Sequence, residues 1–546
     1  MPTLKTPFGR LDGRYMKSGR CATQVVAASD SLAKSRYQAD YVCDGTADDV
    51  EIQAAIDAVA AVGGGKVLLA EGQYNIEGDI YLKSNVDIEG SGPYTELYIK
   101  APVKVFYFNY GDSSVSTTLT VALNIDDTTI TVASTEGFSA GDEINIYKWA
   151  GDFYTIQSVD SSTQITLTAE SDIELPTGAA VTKYSNSQGK NIRIANIKFY
   201  VPSDGLGGGE IAYAVAPYHI KNFTLENCQF INDSSGTLRV MWAKSNKYLF
   251  MNKNYFENCD LTSWGKLLSV VSDNIAVSCT GESLAGDCQS TVVSDNVLVR
   301  SKKLLWSNVA HYVVVANNIL LESDAIAYIV SGHDSVIVGN KSIGSKSRGI
   351  YTETALTYNI LIADNSILNP TTFGIASYKA PYTIIQDNFI AGSGTQGILI
   401  GYDGTPNAGT ENIIVKNNTI KDATAYGIYE DNLSGNNLIE GNYIENCGSG
   451  AIRPGSLGTT GIRRNVGYAT EKSGTATISS GNTYTDVSHG LDIKPATSSI
   501  SVVPTNNLGD ATKYYISDVG ASTFRINVNV DPGVTTATFV WQIGSY

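Results

Sequence analysis

The sequence predicts an all-β protein built around a parallel β-solenoid with about three short strands in each coil. A short phrase recurs twelve times between residues 191 and 466, at intervals of 20 to 31 residues. Within each copy, apolar residues alternate with polar ones, which is the pattern of a strand with one buried face. Gly is abundant (52 residues) and Pro is scarce (14 residues), as expected for a β-rich chain with many turns.

The recurring phrase ends each strand with an asparagine. In NILIADNSIL, we expect Ile360 and Ile362 to point inward, Asn365 to form a corner, and Ile367 to point inward again. Asn suits a corner because it tolerates left-handed backbone, and stacked amides can hydrogen-bond along a ladder. The predicted column comprises Asn196, Asn227, Asn254, Asn274, Asn296, Asn318, Asn340, Asn365, Asn388, Asn418, Asn442 and Asn465.

A second phrase follows the first in several coils, as Gly349-Ile350, Gly374-Ile375, Gly397-Ile398 and Gly427-Ile428. Each period therefore has room for about three strands and three turns. One coil of this size cannot bury its own apolar face, but coils stacked at about 4.8 Å share a continuous core. We therefore place the main solenoid at residues 186–468.

The flanking segments break this period. Residues 44–62 predict an amphipathic helix that caps the solenoid, and the segment 41–112 contains this helix and the first coils. Residues 113–185 alternate strands with turn residues and predict a small inserted β domain. Residues 469–546 show strands about every ten residues and predict a C-terminal β-sandwich. Residues 1–40 form either an attachment arm or a cap.

Charge and composition exclude several classes of function. The net charge of −16 argues against a nucleic-acid partner, because no basic stripe is available to neutralise phosphates. No apolar run approaches the roughly 20 residues needed to cross a bilayer. The first residues, MPTLKTPFGRLDGR, lack the apolar stretch of a secretory signal. The seven Cys lack metal-site or disulfide spacing, so we expect reduced, mostly buried thiols.

The segment from Tyr41 to Asp49, followed by AIDA and GGGKVLLAEGQY, resembles the start of the pectate-lyase-like β-helix superfamily. Together with the asparagine phrase, the resemblance covers residues 37–112 and 186–468 and implies a right-handed parallel β-helix. The superfamily includes polysaccharide lyases, epimerases, glycan hydrolases and phage tailspikes. The HGL, PTNNLG and TFRINVNVDPG phrases near the C-terminus resemble a module found on phage tail proteins.

This resemblance implies a virion tailspike that binds a cell-surface polysaccharide and hydrolyses it. Such a protein is made in the host cytoplasm and acts outside the cell on the virion tail. The resemblance also implies a homotrimer, with virion attachment through the N-terminal segment. Two alternatives are a spike that binds glycan without cutting it, and a polysaccharide lyase or epimerase.

The face that follows the Gly-Ile phrase is the predicted site, because a solenoid presents outward residues in stacked columns. Tyr rings can stack on sugar faces, and glycoside hydrolysis needs two carboxylates. The catalytic candidates are Glu353, Asp403, Glu430 and Asp431. The substrate-binding candidates are Tyr351, Tyr378, Lys379, Tyr402, Tyr429 and Arg453.

A hydrolase of this kind needs no cofactor or metal. A lyase would instead need a base such as Arg348, Lys379 or Arg453, and a Ca²⁺ held by Asp403 or Glu430. No tight acidic cluster in the sequence marks a calcium site, so we favour hydrolysis. His311 and His333 lie on adjacent coils, and His333 precedes Asp334. This pair is a further acid–base candidate, although turn polar groups of this kind are common.

Overall fold

The structure is a computed structural model that describes residues 22–147, 151–242, 246–261, 266–308, 310–329, 332–353, 357–401, 410–455 and 458–544. Three parallel sheets run the length of the solenoid and confirm the predicted all-β class. Sheet 1 has 18 strands, sheet 2 has 13, and sheet 3 consists of a three-stranded and an eight-stranded part. Between the two parts, isolated bridges pair Asp260 with Arg239 of the three-stranded part and with Thr280, which lies three residues before the first strand of the eight-stranded part.

The strands of each sheet come from successive coils. Those of sheet 1 are Ala22–Ala27, Tyr41–Val42, Gly65–Leu69, Val86–Glu89, Gly189–Ala195, Ile220–Glu226, Asn246–Asn252, Lys266–Leu267, Val270–Ser272, Cys288–Gln289, Val292–Ser294, Val314–Ala316, Val336–Val338, Leu361–Ala363, Ile384–Gln386, Ile414–Lys416, Leu438–Glu440 and Gly461–Arg463. Those of sheet 2 are Gly72–Ile76, Thr95–Ile99, Lys198–Val201, Gln229–Asn232, Tyr255–Glu257, Ile275–Val277, Val297–Val299, Ile319–Leu321, Lys341–Ile343, Ser366–Leu368, Phe389–Ala391, Thr419–Lys421 and Tyr443–Glu445. Those of sheet 3 are Lys104–Tyr107, Ile211–Ala216, Thr237–Met241, Ser283–Gly286, Lys303–Ser307, Ala327–Ile329, Ile350–Thr352, Ile375–Ser377, Ile398–Ile400, Tyr426–Glu430 and Gly450–Arg453.

Ten of the twelve predicted asparagines form one buried ladder, from Asn254 to Asn465. At each step an amide nitrogen donates to the side-chain oxygen of the next asparagine, at 2.9 to 3.0 Å. Asn196 and Asn227 do not belong to this ladder, because each lies one residue before the ladder position of its coil. The pairing of Gln229 with Tyr255 places Cys228, not Asn227, beside Asn254.

The left-handed corner is the residue before the ladder asparagine, which corrects the prediction that the asparagine itself makes the turn. Asn317 has φ 56° and precedes the ladder residue Asn318, and Asp364 has φ 55° and precedes Asn365. Asn196 and Asn227 also have positive φ, at 58° and 52°. These two asparagines therefore occupy the corner position, where a short polar side chain tolerates the backbone strain.

The N-terminal end of the solenoid is closed by a helix at Asp49–Ala61, shorter than the predicted 44–62. Its buried face presents Ile52, Ile56 and Val59 to the core. The carboxylate of Asp48 accepts hydrogen bonds from the backbone nitrogens of Gly45 (2.9 Å) and Asn75 (2.7 Å). Asp48 therefore ties the preceding turn to the first coil. A short helix at Ala33–Gln38 and 3-10 turns at Gly92–Tyr94 and Thr497–Ser499 complete the helical elements of the described residues.

Residues 113–184 form an antiparallel six-stranded sheet that interrupts the early coils. We call this unit the insert, and its core contains Ile144, Ile156 and Val181. Its strands are Ser113–Thr118, Thr129–Thr131, Glu143–Tyr147, Gly151–Val159, Gln164–Leu167 and Ala180–Tyr184.

The insert packs against one column of sheet 1, which we call the docking column. Its residues on successive coils are Lys247, Leu267, Gln289, His311, His333 and Tyr358. Lys247 is ion-paired to Asp152 (2.5 Å) and to Asp172 of the insert. The Leu267 side chain joins the apolar core of the insert. The insert is therefore held by side chains of several coils.

The C-terminal region consists of two three-stranded antiparallel sheets around an apolar core that includes Phe524, Phe539 and Trp541. One sheet contains Lys472–Ile478, Ile500–Pro504 and Ala537–Ile543, and the other contains Tyr484–Ser488, Tyr514–Ser517 and Thr523–Val528. Of the six cysteines among the described residues, five are buried, and no two of the six form a disulfide with each other. Within the described part of the chain, no helix has the length and apolar character needed to cross a membrane.

Candidate functional site

Sheet 3 presents one outward residue from each coil, because side chains alternate between the two faces of a strand. Parallel register aligns these residues into a single file that we call the outer column. The outer column is Gly286, Trp306, Tyr328, Tyr351, Ala376, Leu399, Tyr429 and Arg453. Aromatic side chains therefore follow one another along the rod over much of this face.

Cationic side chains lie over several of these rings. Lys303 Nζ is 4.6 Å from the centroid of the Tyr328 ring, and the Arg348 guanidinium is 4.2 Å from that of Tyr351. Arg453 lies 4.3 Å over the ring of Tyr429. Each arrangement is a cation–π contact, which holds the ring and the cation in a fixed relation. The face is therefore locally basic and aromatic, although the chain as a whole is acidic.

The centre of the outer column and the neighbouring Tyr378 are buried, whereas we expected the tyrosines here to be exposed. Tyr351 and Tyr378 are only 3% and 6% exposed. The Tyr378 ring meets the Tyr351 ring edge-on at 5.0 Å, and Ala376 and Leu399 complete this apolar cluster. The partly exposed rings of the outer column are Trp306, Tyr328 and Tyr429. The Tyr328 ring is stacked on Tyr351 at 4.4 Å, so it offers a ligand mainly its edge.

Glu430 points into the solenoid, which corrects its predicted outward position. It pairs with Ile400, two residues after the inward-facing Ile428, and it is 1% exposed. Its carboxylate accepts hydrogen bonds from Asn437 Nδ2 (2.8 Å), from the backbone nitrogen of Gly455 (2.8 Å) and from the Thr460 hydroxyl. These donors satisfy a buried charge, so Glu430 has a structural environment and does not face the outer column.

Glu353 and Asp431, the other predicted carboxylates that the structure describes, do not form a close pair. Glu353 is partly exposed, and its Oε2 accepts a hydrogen bond from the Tyr328 hydroxyl at 2.9 Å. Register places Asp431 three coils from Glu353, or about 14 Å by strand spacing. Lys379 is partly buried, and its backbone nitrogen donates to Thr410. Tyr402 and Asp403 lie outside the described residues.

A second group of charges lies further toward the N-terminus on the same face, and sequence reasoning missed it. Asp260 pairs with Arg239 on one coil and with Thr280 on the next. Arg239 Nε lies 2.9 Å from Asp260 Oδ2, and its guanidinium lies 4.2 Å over the ring of Trp242. Glu282 follows Thr280 by two residues, so the two carboxylates lie on adjacent coils.

The surroundings of Glu282 and Lys303 shift the pKa values of both side chains. Glu282 is exposed, and the limited desolvation of its carboxyl group raises its pKa above its usual range; Lys303 opposes this effect, and the charge of Asp260 adds to it. Burial also lowers the pKa of Lys303. Glu282, an exposed carboxyl group with a raised pKa, and Asp260, a buried carboxyl group paired with Arg239, are therefore candidates for the two carboxyl groups that glycoside hydrolysis requires.

The spacing of aromatic residues in the sequence could have predicted part of the outer column. Trp306, Tyr328 and Tyr351 are spaced by 22 and 23 residues, which matches the coil period. Tyr351 was predicted, but Trp306 and Tyr328 were missed because their coils lack the Gly-Ile phrase: Leu305 and Ala327 occupy the position of Ile350. Asp260 and Glu282 carry no comparable signal, because they lie where sheet 3 is interrupted.

A family model described as "Right handed beta helix region" matches residues 302–483. Among solved structures, a tailspike variant of E. coli bacteriophage HK620 in complex with a pentasaccharide aligns at 11% identity, with TM-score 0.52, over 91% of this chain and 90% of that chain. A second variant of that tailspike, also in complex with the pentasaccharide, aligns at 11% identity, with TM-score 0.51, over 92% and 91% of the two chains. The tailspike of Pseudomonas phage LKA1 aligns at 12% identity, with TM-score 0.49, over 91% and 92%.

No curated protein sequence matches this chain. At 11 to 12% identity, the structural likeness concerns the fold and not the chemistry of the site. Together with the parallel register of the three sheets, these findings show that the chain is a right-handed parallel β-helix, the fold that phage tailspike proteins also adopt.

Proposed function

We propose that this protein is a virion tailspike that binds a cell-surface polysaccharide along the outer face of sheet 3 and hydrolyses it. The observation that carries the proposal is the outer column, where partly exposed aromatic rings and cations recur along a rigid rod. A long glycan lying along the rod would meet Trp306, Tyr328, Tyr429 and Arg453 in turn. The structural neighbours that were solved with a pentasaccharide support a sugar ligand.

The local charge of this face suits a sugar chain with some acidic groups. Lys303, Arg348 and Arg453 all lie over rings of the outer column, so a ligand that stacks there also meets a cation. At long range, the net charge of −16 would repel a strongly anionic glycan. A neutral or weakly acidic polysaccharide is therefore the class of ligand that we expect.

For hydrolysis we assign the acid to Glu282 and the ionised partner to Asp260. Asp260 is in register with Thr280, so Glu282 lies one coil and two residues away, at about 8 Å between backbone positions. The two side chains would have to converge to reach the roughly 5 Å separation of a retaining mechanism. Glu282 would protonate the leaving oxygen, and Asp260 would stabilise or attack the anomeric carbon. Glu353, held by the Tyr328 hydroxyl, would contact the sugar chain on the same face.

Substitution of the proposed pair tests this mechanism. We expect Glu282→Gln and Asp260→Asn each to lower the release of reducing ends from a susceptible polysaccharide by about 10²- to 10⁴-fold, while glycan binding is retained. Glu353→Gln should weaken binding more than it lowers the rate of cleavage. Glu136→Gln, at an exposed carboxylate of the insert, is the matched control and should behave as wild type.

Other outcomes would change the proposal in specific ways. Retained cleavage in both Glu282→Gln and Asp260→Asn would refute the assigned pair. Binding without any product from a broad panel of capsular and O-antigen polysaccharides would indicate a non-catalytic spike. Products with an unsaturated sugar that absorbs in the near ultraviolet would indicate a lyase. Failure of the wild type to bind any of these polysaccharides would refute the ligand class itself.

We also propose that three copies associate side by side. The outward face of sheet 2 carries exposed apolar side chains at Ile275, Ile319, Phe389 and Tyr443, which lateral association would cover. Cyclic closure would use this face without open polymerisation. The chain mass is 58.2 kDa, so sedimentation should give about 175 kDa, and Ile319→Lys should shift the population toward monomer. A wild-type mass of one chain would contradict the trimer.

A further inference from the structure

A cluster of metal-ligating side chains lies on the docking column, where the insert meets sheet 1 and away from the outer column. Glu174 comes from the insert, and His311 and His333 come from adjacent coils of the solenoid. One ligand atom from each residue lies within 4.8 Å of those of the other two. Three potential ligands from two structural units therefore converge on one point.

The two histidines are held side by side by the register of the coils. The nitrogen of Tyr312 donates to the carbonyl of His333, so His311 and His333 are neighbours in the column. Their ring centroids are 4.1 Å apart. His311 Nδ1 is shielded from solvent and has no hydrogen-bond partner in the structure. Such a nitrogen costs about 1–3 kcal/mol when it is left unsatisfied, and coordination of a metal would satisfy it.

His333 carries the support that metal-binding histidines usually have. Its Nδ1 lies 2.9 Å from Asp334 Oδ2, which fixes the orientation of the ring. Its Nε2 lies 2.8 Å from Glu174 Oε2. The Tyr358 ring stacks on it at 4.9 Å and restricts its rotation further. A carboxylate on one nitrogen and a ligand position on the other is the arrangement of a carboxylate–histidine–metal triad.

We propose that Glu174, His311 and His333 bind a divalent transition metal, with zinc as the best fit, and that the ion clamps the insert to the solenoid. Two imidazoles and one carboxylate are a common zinc ligand set with a fourth position left for water. Around a tetrahedral zinc, ligand atoms lie roughly 3.4 Å apart. Small side-chain rotations would have to open the 2.8 Å contact between His333 Nε2 and Glu174 Oε2 and draw the three ligand atoms around the ion. Calcium and magnesium fit poorly, because they prefer oxygen ligands alone.

The site lies on sheet 1, whereas the proposed polysaccharide site lies on sheet 3. The two proposals can therefore fail separately. The ion would add a bond between the insert and the coils that already hold it through Lys247 and Leu267.

Metal binding tests the proposal directly. The full chain is stripped with a chelator, dialysed against zinc chloride, and analysed for metal content by mass spectrometry. We expect one equivalent of zinc in the wild type and a rise in melting temperature on zinc addition. Glu174→Gln and His333→Gln should lower zinc affinity at least 10-fold in competition with a chromophoric chelator. Asp334→Asn should lower it by about 10- to 100-fold without removing a ligand.

Glu170→Gln, at an exposed carboxylate of the same insert, is the matched control and should keep wild-type affinity. Cobalt(II) provides a second measurement, since a tetrahedral site gives a visible absorption band that Glu174→Gln should abolish. Glutamine is nearly isosteric with glutamate and the Glu174 side chain is partly exposed, so we expect the Glu174→Gln variant to fold. This variant therefore tests metal binding even if His333→Gln does not fold. The absence of zinc and cobalt binding in the wild type, or equal zinc affinity in Glu174→Gln, would overturn the proposal and leave a hydrogen-bonded imidazole between two carboxylates.

Discussion

Replacing Lys247 with methionine should lower the stability of the junction between the insert and the solenoid by about 3–5 kcal/mol. Lys247 is mostly buried and ion-paired to Asp152 at 2.5 Å and to Asp172. Its burial lowers its pKa, but the two carboxylates outweigh that effect and raise it, so the side chain is charged. Burial raises the pKa of Asp152, which is 2% exposed, so without the ammonium group this carboxyl group would have to take up a proton or remain as an unpaired buried charge.

Native-state hydrogen exchange of the insert strand Glu143–Tyr147 measures this loss of junction stability locally. A local measurement is needed because a chain of this size is not expected to unfold in a single two-state step. The triple variant Lys247→Met, Asp152→Asn, Asp172→Asn should recover much of it, because removing all the charges avoids the unpaired carboxylate. Lys100→Met is the matched control. Lys100 pairs with Asp204 at 3.1 Å on the exposed surface, where solvent screens the interaction, so we expect no measurable change. A change below about 1 kcal/mol in Lys247→Met would contradict the assigned role.

Replacing Asn318 with alanine should lower the free energy of unfolding of the central coils by about 3 kcal/mol or more. Its amide nitrogen donates to the carbonyls of Val293 and Ala316 and to Asn340 Oδ1, all at 2.9 Å. Its side-chain oxygen accepts from the backbone and side-chain nitrogens of Asn296. Alanine would leave several of these buried groups unsatisfied, at about 1–3 kcal/mol each.

The neighbouring corner residue provides the control. Asn317 is exposed and has φ 56°, a conformation that glycine adopts readily, so Asn317→Gly should change stability by less than about 1 kcal/mol. Chemical denaturation followed by far-ultraviolet circular dichroism, with hydrogen exchange at Val314–Ala316, compares the two variants. Equal effects of Asn317→Gly and Asn318→Ala would mean that the ladder does not stabilise the coils in this way.

The asparagine phrase shows what a local sequence pattern can and cannot predict about this fold. Repetition of an apolar strand followed by Asn predicted the ladder, and ten of the twelve residues belong to it. Asn196 and Asn227 could not be distinguished from the others, because a corner asparagine and a ladder asparagine differ by one position in the phrase. Only the pairing of Gln229 with Tyr255 shows which of Asn227 and Cys228 lies next to Asn254.

The candidate site was harder to predict than the fold. Alternation after the Gly-Ile phrase placed Tyr351, Tyr429 and Arg453 on the outward side of sheet 3, as the register shows. Glu430 was also predicted to face outward, although it directly follows the outward Tyr429 and strict alternation turns it inward. Its burial depends on hydrogen-bond donors from Asn437, Gly455 and Thr460. No local sequence pattern shows that these residues approach Glu430.

Residue periodicity was enough to establish a stacked, parallel, all-β rod, because every coil must bury the same aliphatic positions against its neighbours. Which side chains meet on its surface depended on contacts between segments far apart in the chain. Glu174 reaches His333 across 159 residues, and Asp152 reaches Lys247 across 95. Such contacts arise from how the insert packs against the coils, and a repeat of 20 to 31 residues carries no information about that packing.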